Sequence, residues 1–490
     1  MKINPAPDSH VPFCPVRCSL SNGVNIERAK ASSGFSHTIF KAYDIRGIYP
    51  TEINEEAAYK IGRAFVQFLS KFIRHPKIVV GRDNRISSPA LFRALIKGIT
   101  AQKSDVVNIG LSTSPMLYFA AAHYEYDGGV QITASHNSFQ YNGFKLVRKK
   151  AIPISEKTGL RTIQQLTRKL QGHSLCNLGC QGSRGRIIKK EILKDYLNFN
   201  FRETETWKLK PFKIVIDTAN AVPGILIPDL EKRMPGKIYS LFKNLDGNFP
   251  NHNPDPLVKE NLKFLQEEIK RKKADLGIAF DGDGDRIVFL DEKGNIISGD
   301  LICALISDLI LKKNPGSKIL YDIRSSNVLK ETIEKARGIP LIGRVGHSFI
   351  KERMRKENIL FAGEFSSHYY HRDHYFCEAP LFVLFRILEE LSQTGKKFSE
   401  TIKPFRKYFH SGEINFKVRD KMEILKKLEG SFGTRKILKI DGLRIDFKDW
   451  WFSVRPSNTE PLLRLVIEAK TKKLMEKKKK EISKLIQNIY

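Results

Sequence analysis

Lys77-Ile-Val-Val-Gly-Arg-Asp83, Lys213-Ile-Val-Ile-Asp-Thr-Ala219 and Lys318-Ile-Leu-Tyr-Asp-Ile-Arg324 follow one pattern. Each is a lysine, a short run rich in β-branched residues, then polar turn residues ahead of a helical stretch. Continuous short apolar runs suit strands buried on both faces of a sheet, with helices above and below. The repeats begin at residues 77, 213 and 318, a domain-sized spacing rather than that of a solenoid. Chance similarity among buried strands is the competing reading. The pattern predicts three α/β domains built alike.

The tail differs. Residues 422–428 read as a helix, and 436–440, 443–447 and 451–454 as short antiparallel strands, with Asp441-Gly442 turning between the first two. Residues 462–468 add a strand and 470–489 a helix, which makes a smaller α+β domain. The expected boundaries are 36–185, 186–298, 299–408 and 409–490. Residues 1–35, with Pro5, Pro7, Pro12 and Pro15 and a serine-rich stretch, read as a poorly ordered extension without the apolar core of a secretory signal.

Composition bounds the partners. The 490 residues are 41% hydrophobic and 28% charged, ordinary globular values that exclude global disorder and allow two to four domains. No apolar window is long enough for a membrane span. The net charge of +31 favours nucleic acid, anionic membranes or phosphorylated small molecules, without choosing among them. Residues 470–484 hold eight lysines but no interleaved aromatics, so they read as a solvated helix face rather than a nucleic-acid platform. Six cysteines are too few for a disulfide scaffold. Cys14 and Cys18, and Cys176 and Cys180 near His173, lack the usual zinc spacing, so reduced thiols and a cytoplasmic location are expected.

Four segments carry chemistry. In Asp281-Gly-Asp-Gly-Asp-Arg286, alternate carboxylates separated by glycines can converge on one hard cation. An EF-hand also begins this way, and Glu292 falls at its twelfth position, but Arg286 stands where that loop needs glycine. The flanks, 276–280 and 287–290, read as strands. A solvated acidic turn is the bland alternative, disfavoured by mutual repulsion of three packed carboxylates. Thr133-Ala-Ser-His-Asn137 follows a strand-like run. It offers Ser135 as a nucleophile or phosphate carrier, with His136 placed to relay protons, although such triplets are common in surface turns. Arg455-Pro-Ser-Asn-Thr-Glu-Pro461 sets an arginine beside three short hydrogen-bonding side chains, an oxyanion cradle or only a turn. Gly363-Glu-Phe-Ser-Ser-His368 gathers a carboxylate, hydroxyls and an imidazole suited to sugar hydroxyls, or is a polar loop.

Taken together, in this order and with Phe40-Lys-Ala-Tyr-Asp-Ile-Arg-Gly47, these segments resemble the α-D-phosphohexomutase family, most closely its bacterial phosphomannomutase branch. The resemblance runs from residue 40 to 490. Two departures are small: Ser138 and Ser367 stand where the family often has proline and glycine. The resemblance implies mixed sheets in the three α/β domains and four domains around a central cleft, each lending one loop. It implies a phosphorylated Ser135, Mg²⁺ held by Asp281, Asp283 and Asp285 with a phosphoserine oxygen, and a hexose 1,6-bisphosphate as intermediate and activator. Lys145, His136, His347, His368 and Arg46 are the candidates for acid–base and supporting roles. A lysine base needs a depressed pKa, which burial near arginines would provide. Tyr43, Arg286, Arg324, Glu364, Ser366 and His368 are implied substrate contacts. Arg455, Ser457, Asn458 and Thr459 are implied to hold the distal phosphate. The implied reaction interconverts mannose 6-phosphate and mannose 1-phosphate for GDP-mannose synthesis, with glucose phosphate turnover as the alternative. The protein is expected as a monomer or dimer acting on a phosphosugar, with neither membrane nor nucleic acid as partner.

Overall fold

The computed structural model describes residues 37–170, 184–202, 204–418, 420–432, 437–457 and 462–489. The expected extension, Cys14, Cys18, His173, Cys176 and Cys180 lie outside the described residues. Among those described, no helix is long and apolar enough to cross a membrane.

Four sheets follow one another along the chain. The first runs, in spatial order, Ile45–Ile48, Tyr141–Arg148, Gly128–Ile132, Ile78–Arg82, Val106–Leu111 and Ile187–Lys189, with Ile152–Pro153 also on Tyr141–Arg148. The second runs Ile296–Ile297, Ile287–Asp291, Leu276–Phe280, Phe212–Asp217 and Gly236–Leu241. The third runs Ile339–Gly343, Lys318–Asp322, Phe361–Gly363, Tyr369–His371 and Cys377–Glu378. All three mix parallel and antiparallel pairs. The strand Ile187–Lys189 pairs in parallel with Val106–Leu111, so the first sheet extends past residue 185, where the sequence reading drew its boundary. A strand of three residues is too short to assign to either neighbour from sequence.

The three look-alike segments occupy the same slot. Ile78–Arg82, Phe212–Asp217 and Lys318–Asp322 each lie between two parallel neighbours. In each sheet one of those neighbours turns back antiparallel into the next strand: Gly128–Ile132 into Tyr141–Arg148, Leu276–Phe280 into Ile287–Asp291, and Phe361–Gly363 into Tyr369–His371. The three turns are the Ser135 loop, the aspartate loop and the loop of Glu364 to His368. The chain therefore builds one supersecondary unit three times and puts its chemistry at the same turn each time.

The fourth sheet is antiparallel: Phe409–His410, Leu462–Ala469, Trp450–Pro456, Leu443–Asp446 and Ile437–Leu438, with Ile414–Lys417 also on Leu462–Ala469. The strands at 409–410 and 414–417 were not expected; each is short and only partly buried. Helix Lys472–Ile489 sends Met475, Ile482 and Ile486 into this domain's core. Its lysines lie outward, with Lys478 2.6 Å from Glu481.

Candidate active site

The loops converge on one cleft of about 610 Å³. Tyr43, Arg46, Ser135, His136, Lys145, Asp285, Arg286, Arg324, His347, Glu364, Ser366, His368, Arg455 and Ser457 all line it. Asp281 and Asp283 lie just beneath, fully buried. Asn458 and Thr459 fall outside the described residues.

Ser135 sits at φ +50°, a left-handed conformation that non-glycine residues adopt only where surroundings impose it. Two neighbours impose it. The Thr133 hydroxyl accepts the Ser135 amide at 2.9 Å. Arg85, fully buried, donates to the carbonyls of Ser135 (2.7 Å), Asn137 (2.6 Å), Ser138 (2.6 Å) and Tyr141 (3.1 Å), while its Nε donates to Asp83 at 3.1 Å. One guanidinium thus fastens the whole loop from beneath. The sequence reading missed Arg85, although Asp83-Asn84-Arg85 repeats the spacing of Asp322-Ile323-Arg324 after an equivalent strand.

The Ser135 hydroxyl donates to Asp281 Oδ2 at 2.7 Å, across a junction between two domains. That approach needs Gly282, because a Cβ there would fall 2.2 Å from the Ser135 carbonyl oxygen. Gly284 supplies the left-handed turn, at φ +69°. Asp281 Oδ1 accepts the amides of Asp285 (3.1 Å) and Arg286 (3.2 Å), closing the loop on itself. Lys145 Nζ donates to Asp283 at 2.5 Å and Asp285 at 2.6 Å, and Ser114 donates to Asp283. Glu292, the EF-hand alternative's last ligand, points elsewhere and binds Ser399.

Asp281, Asp283 and Asp285 form the one metal-competent cluster among the described residues, with an oxygen from each lying within 4.8 Å of the others. Their electrostatics fit a cation. Burial, then Asp285 and Asp283, push Asp281 well above the usual carboxylate range. Burial would raise Asp285 too, but Lys145 and His368 hold it well below. Asp283 Oδ1 is buried and finds no hydrogen-bond partner among the described residues. Such a triad is short of positive charge, and oxygen-only donors suit Mg²⁺ rather than zinc or copper.

The third loop meets the aspartate loop directly. Ile287 donates its amide to Ser367 O at 3.2 Å, and Arg286 and His368 form a β-bridge. His368 Nε2 lies 3.2 Å from Asp285 Oδ1 and 3.3 Å from Arg286 Nε, so it donates to one or accepts from the other. Its Nδ1 lies 3.1 Å from Ser366 Oγ. Glu364 accepts from the Gly346 amide (2.9 Å) and the Tyr370 hydroxyl (2.6 Å). Ser367, where the family often has glycine, adopts φ +63°, the conformation glycine favours. The His347 ring packs edge-on against Tyr43, centroids 4.9 Å apart, and Arg46 donates to Asn137 Oδ1 at 2.5 Å.

Across the cleft, Arg324 from the third domain and Arg455 and Arg464 from the fourth surround one carboxylate. Glu413 accepts from Arg455 and Arg464 at 2.8 Å each and from Arg324 at 3.4 Å. Burial would raise the Glu413 carboxyl, but these three guanidiniums hold it at about 2. The sequence reading named neither Glu413 nor Arg464.

Protonation states separate the acid–base candidates. Burial, followed by Arg286 and Arg46, drives His136 well below its ordinary value; burial and Lys351 do the same to His347. Both are neutral. Lys145 goes the other way: burial opposes its charge, but Asp283 and Asp285 raise it well above the ordinary value. The expected depression of Lys145 is absent because carboxylates, not arginines, are its nearest neighbours.

Comparison with known proteins agrees with this architecture. Four consecutive segments match the phosphoglucomutase/phosphomannomutase family: alpha/beta/alpha domain I over residues 37–173, domain II over 191–294, domain III over 298–408 and the C-terminal domain over 413–485. A phosphomannomutase of Methanocaldococcus jannaschii is 40% identical over 451 residues, 91% of this chain and 97% of that protein. A protein of Xanthomonas campestris described as phosphohexose mutases is 38% identical, covering 91% and 98%. The crystal structure of a phosphoglucomutase/phosphomannomutase family protein from Burkholderia thailandensis superposes with a TM-score of 0.84 at 30% identity, covering 93% of this chain and 98% of that one. With every domain of the family matched in order and its loops gathered on one cleft, this chain belongs to the phosphoglucomutase/phosphomannomutase family and is a phosphohexomutase.

Proposed function

We propose that the protein is a phosphomannomutase that interconverts mannose 6-phosphate and mannose 1-phosphate through a phosphorylated Ser135 and a hexose 1,6-bisphosphate. The observation that carries the reaction is the cleft itself: a strained serine 2.7 Å from Asp281 on one wall and a cluster of arginines on the other. The sugar assignment rests on the relatives' names.

The phosphoryl group passes from Ser135 Oγ to the free hydroxyl of a bound hexose monophosphate, giving the bisphosphate. After the sugar turns over, its other phosphoryl group returns to Ser135 Oγ. Such transfers depend on positioning and charge neutralisation more than on covalent chemistry. Bound Mg²⁺, held by Asp281, Asp283 and Asp285, would supply Lewis-acid neutralisation of the phosphoserine oxygens. Arg286 adds a fixed guanidinium beside that group. Neutral His136, its Nδ1 3.3 Å from Ser135 Oγ, is a second proton acceptor for the serine beside Asp281, whose Oδ2 is 2.7 Å away. Neutral His347 faces the sugar and is placed to take the proton of the attacking hydroxyl, with His368 lining the same cleft. Lys145, held charged, donates rather than accepts. Tyr43, Glu364 and Ser366 contact the sugar. Arg324, Arg455 and Ser457 hold the distal phosphate, with Asn458 and Thr459 completing the loop. Because that cradle binds a phosphate rather than one end of a sugar, the hexose can bind in either direction.

The product would supply GDP-mannose synthesis. A second reading, turnover of glucose phosphates as well, is favoured by the relative described as phosphohexose mutases. A coupled assay comparing mannose 1-phosphate with glucose 1-phosphate decides between them: a clear preference for mannose 1-phosphate supports the proposal, and equal kcat/KM values replace it with dual specificity.

A further inference from the structure

We infer that Glu413 is a resident anion of the phosphate cradle, occupying it without substrate and displaced when a substrate phosphate binds. The inference rests on the cradle assignment proposed above. Glu413 lies between the strands Phe409–His410 and Ile414–Lys417 of the fourth sheet. Its carboxylate oxygens accept from Arg455, Arg464 and Arg324, groups brought from two domains. A carboxylate and a phosphate monoester present the same fork of anionic oxygens to guanidinium groups, so both compete for the same donors. Arg455 is only 4% exposed, and its Nε finds no hydrogen-bond partner among the described residues, so it keeps a donor for a larger anion.

The other charges around the cluster support displacement rather than simple bracing. Arg324 is already fixed by Asp322, at 2.7 Å and 3.0 Å, and needs no second carboxylate to orient it. Burial raises the Asp441 carboxyl, and nearby Arg455 offsets part of that rise. Arg324 thus keeps its Asp322 support when a phosphate takes the place of Glu413 on the arginines. Two consequences follow. Part of the repulsion among the three arginines is offset in the empty enzyme, and Glu413 links Arg324 of the third domain to Arg455 and Arg464 of the fourth. A weakly held simple anion must also compete with an internal carboxylate, whereas a sugar phosphate adds its hydroxyl contacts and wins. Glu413 therefore weakens both ligands by the same factor and leaves the phosphosugar, with its added contacts, as the one that still fills the cradle.

Calorimetric titration of the full-length protein with inorganic phosphate tests this. Glu413→Gln keeps the shape and removes the competing charge, so phosphate should bind roughly tenfold more tightly than to the wild type, the scale of one charge-assisted contact. KM for mannose 1-phosphate should fall with it. Unchanged or weaker phosphate binding by Glu413→Gln would overturn the proposal and make Glu413 a brace for the arginines. Should the variant not fold, a crystal structure of the wild type with mannose 1-phosphate decides. Glu413 withdrawn from Arg455 and Arg464 supports displacement; Glu413 still bound to both, with phosphate in the cradle, refutes it. Phosphate binding is read without turnover, so a protein inactive as a mutase would sink the proposed reaction while leaving this inference to its own result.

Discussion

Arg85→Lys should cripple the Ser135 loop without touching the substrate's binding surface. The arginine makes five side-chain hydrogen bonds, four to loop carbonyls and one to Asp83. A lysine ammonium has three protons in a tetrahedral arrangement, so at least two acceptors lose their partner in a site with no solvent access. At about 1.5–3 kcal/mol for each hydrogen bond to a charged group, the loss is roughly 3–6 kcal/mol before relaxation. The loop's strained Ser135 offers the easiest relaxation, because the Thr133 hydroxyl alone is left to hold its amide at φ +50°. Denaturant unfolding should show a lowered midpoint, and kcat should fall at least a hundredfold. KM should move little, since Arg85 is buried away from the cleft. Mass spectrometry should find Ser135 poorly phosphorylated. A variant with wild-type kcat and a stability change below about 0.5 kcal/mol, the scale of an ordinary surface substitution, would refute the claim that one guanidinium fastens the loop.

Ser135→Ala should nearly abolish turnover while leaving the fold intact, and it should carry no phosphate at position 135; full activity would remove the phosphoserine from the mechanism. Excess chelator should stop turnover and Mg²⁺ restore it, because Asp281 to Asp285 provide only oxygen donors; unaltered rates would exclude a metal. Arg455→Lys should lose about ten- to hundredfold in kcat/KM, most of it as raised KM, yet remain phosphorylated at Ser135. Wild-type constants in that variant would reduce Arg455 to a structural role.

The fold was legible because buried parallel strands leave continuous apolar runs. Leu276–Phe280 and Ile287–Asp291 are buried at every position, and residues 276–280 and 287–290 read as strands from their apolar runs. The chemical loops were legible because each packs its functional side chains into a few consecutive residues. What stayed hidden joins distant residues. Glu413 lies 42 positions from Arg455 and 89 from Arg324, and no local pattern marks a glutamate before a short strand as an ion-pair centre. The charge of Lys145 was misjudged for the same reason: its partners, Asp283 and Asp285, stand 138 and 140 residues away.

The threefold repetition explains why two arginines of identical setting serve different ends. Asp83-Asn84-Arg85 and Asp322-Ile323-Arg324 follow equivalent strands, and in both the aspartate grips the arginine two residues on, through its amide and its guanidinium. In both, the same aspartate or its arginine also reaches the functional turn of its own sheet. Arg85 does so through the four carbonyls of the Ser135 loop, whereas in the third domain Asp322 itself accepts the Phe365 amide at 2.8 Å. With the loop held by the aspartate, Arg324 is released to face the cleft. The second domain has Ala219 at this position; Asp217 instead binds His252 at 3.1 Å, and the nearby Pro254 carbonyl accepts the Gly282 amide of the aspartate loop. Each repeat thus solves one problem, fixing the turn after its third strand, and the solution it adopts decides whether an arginine is left over for substrate. Only the third domain leaves one, and its Arg324 lies within reach of the cradle formed by the fourth.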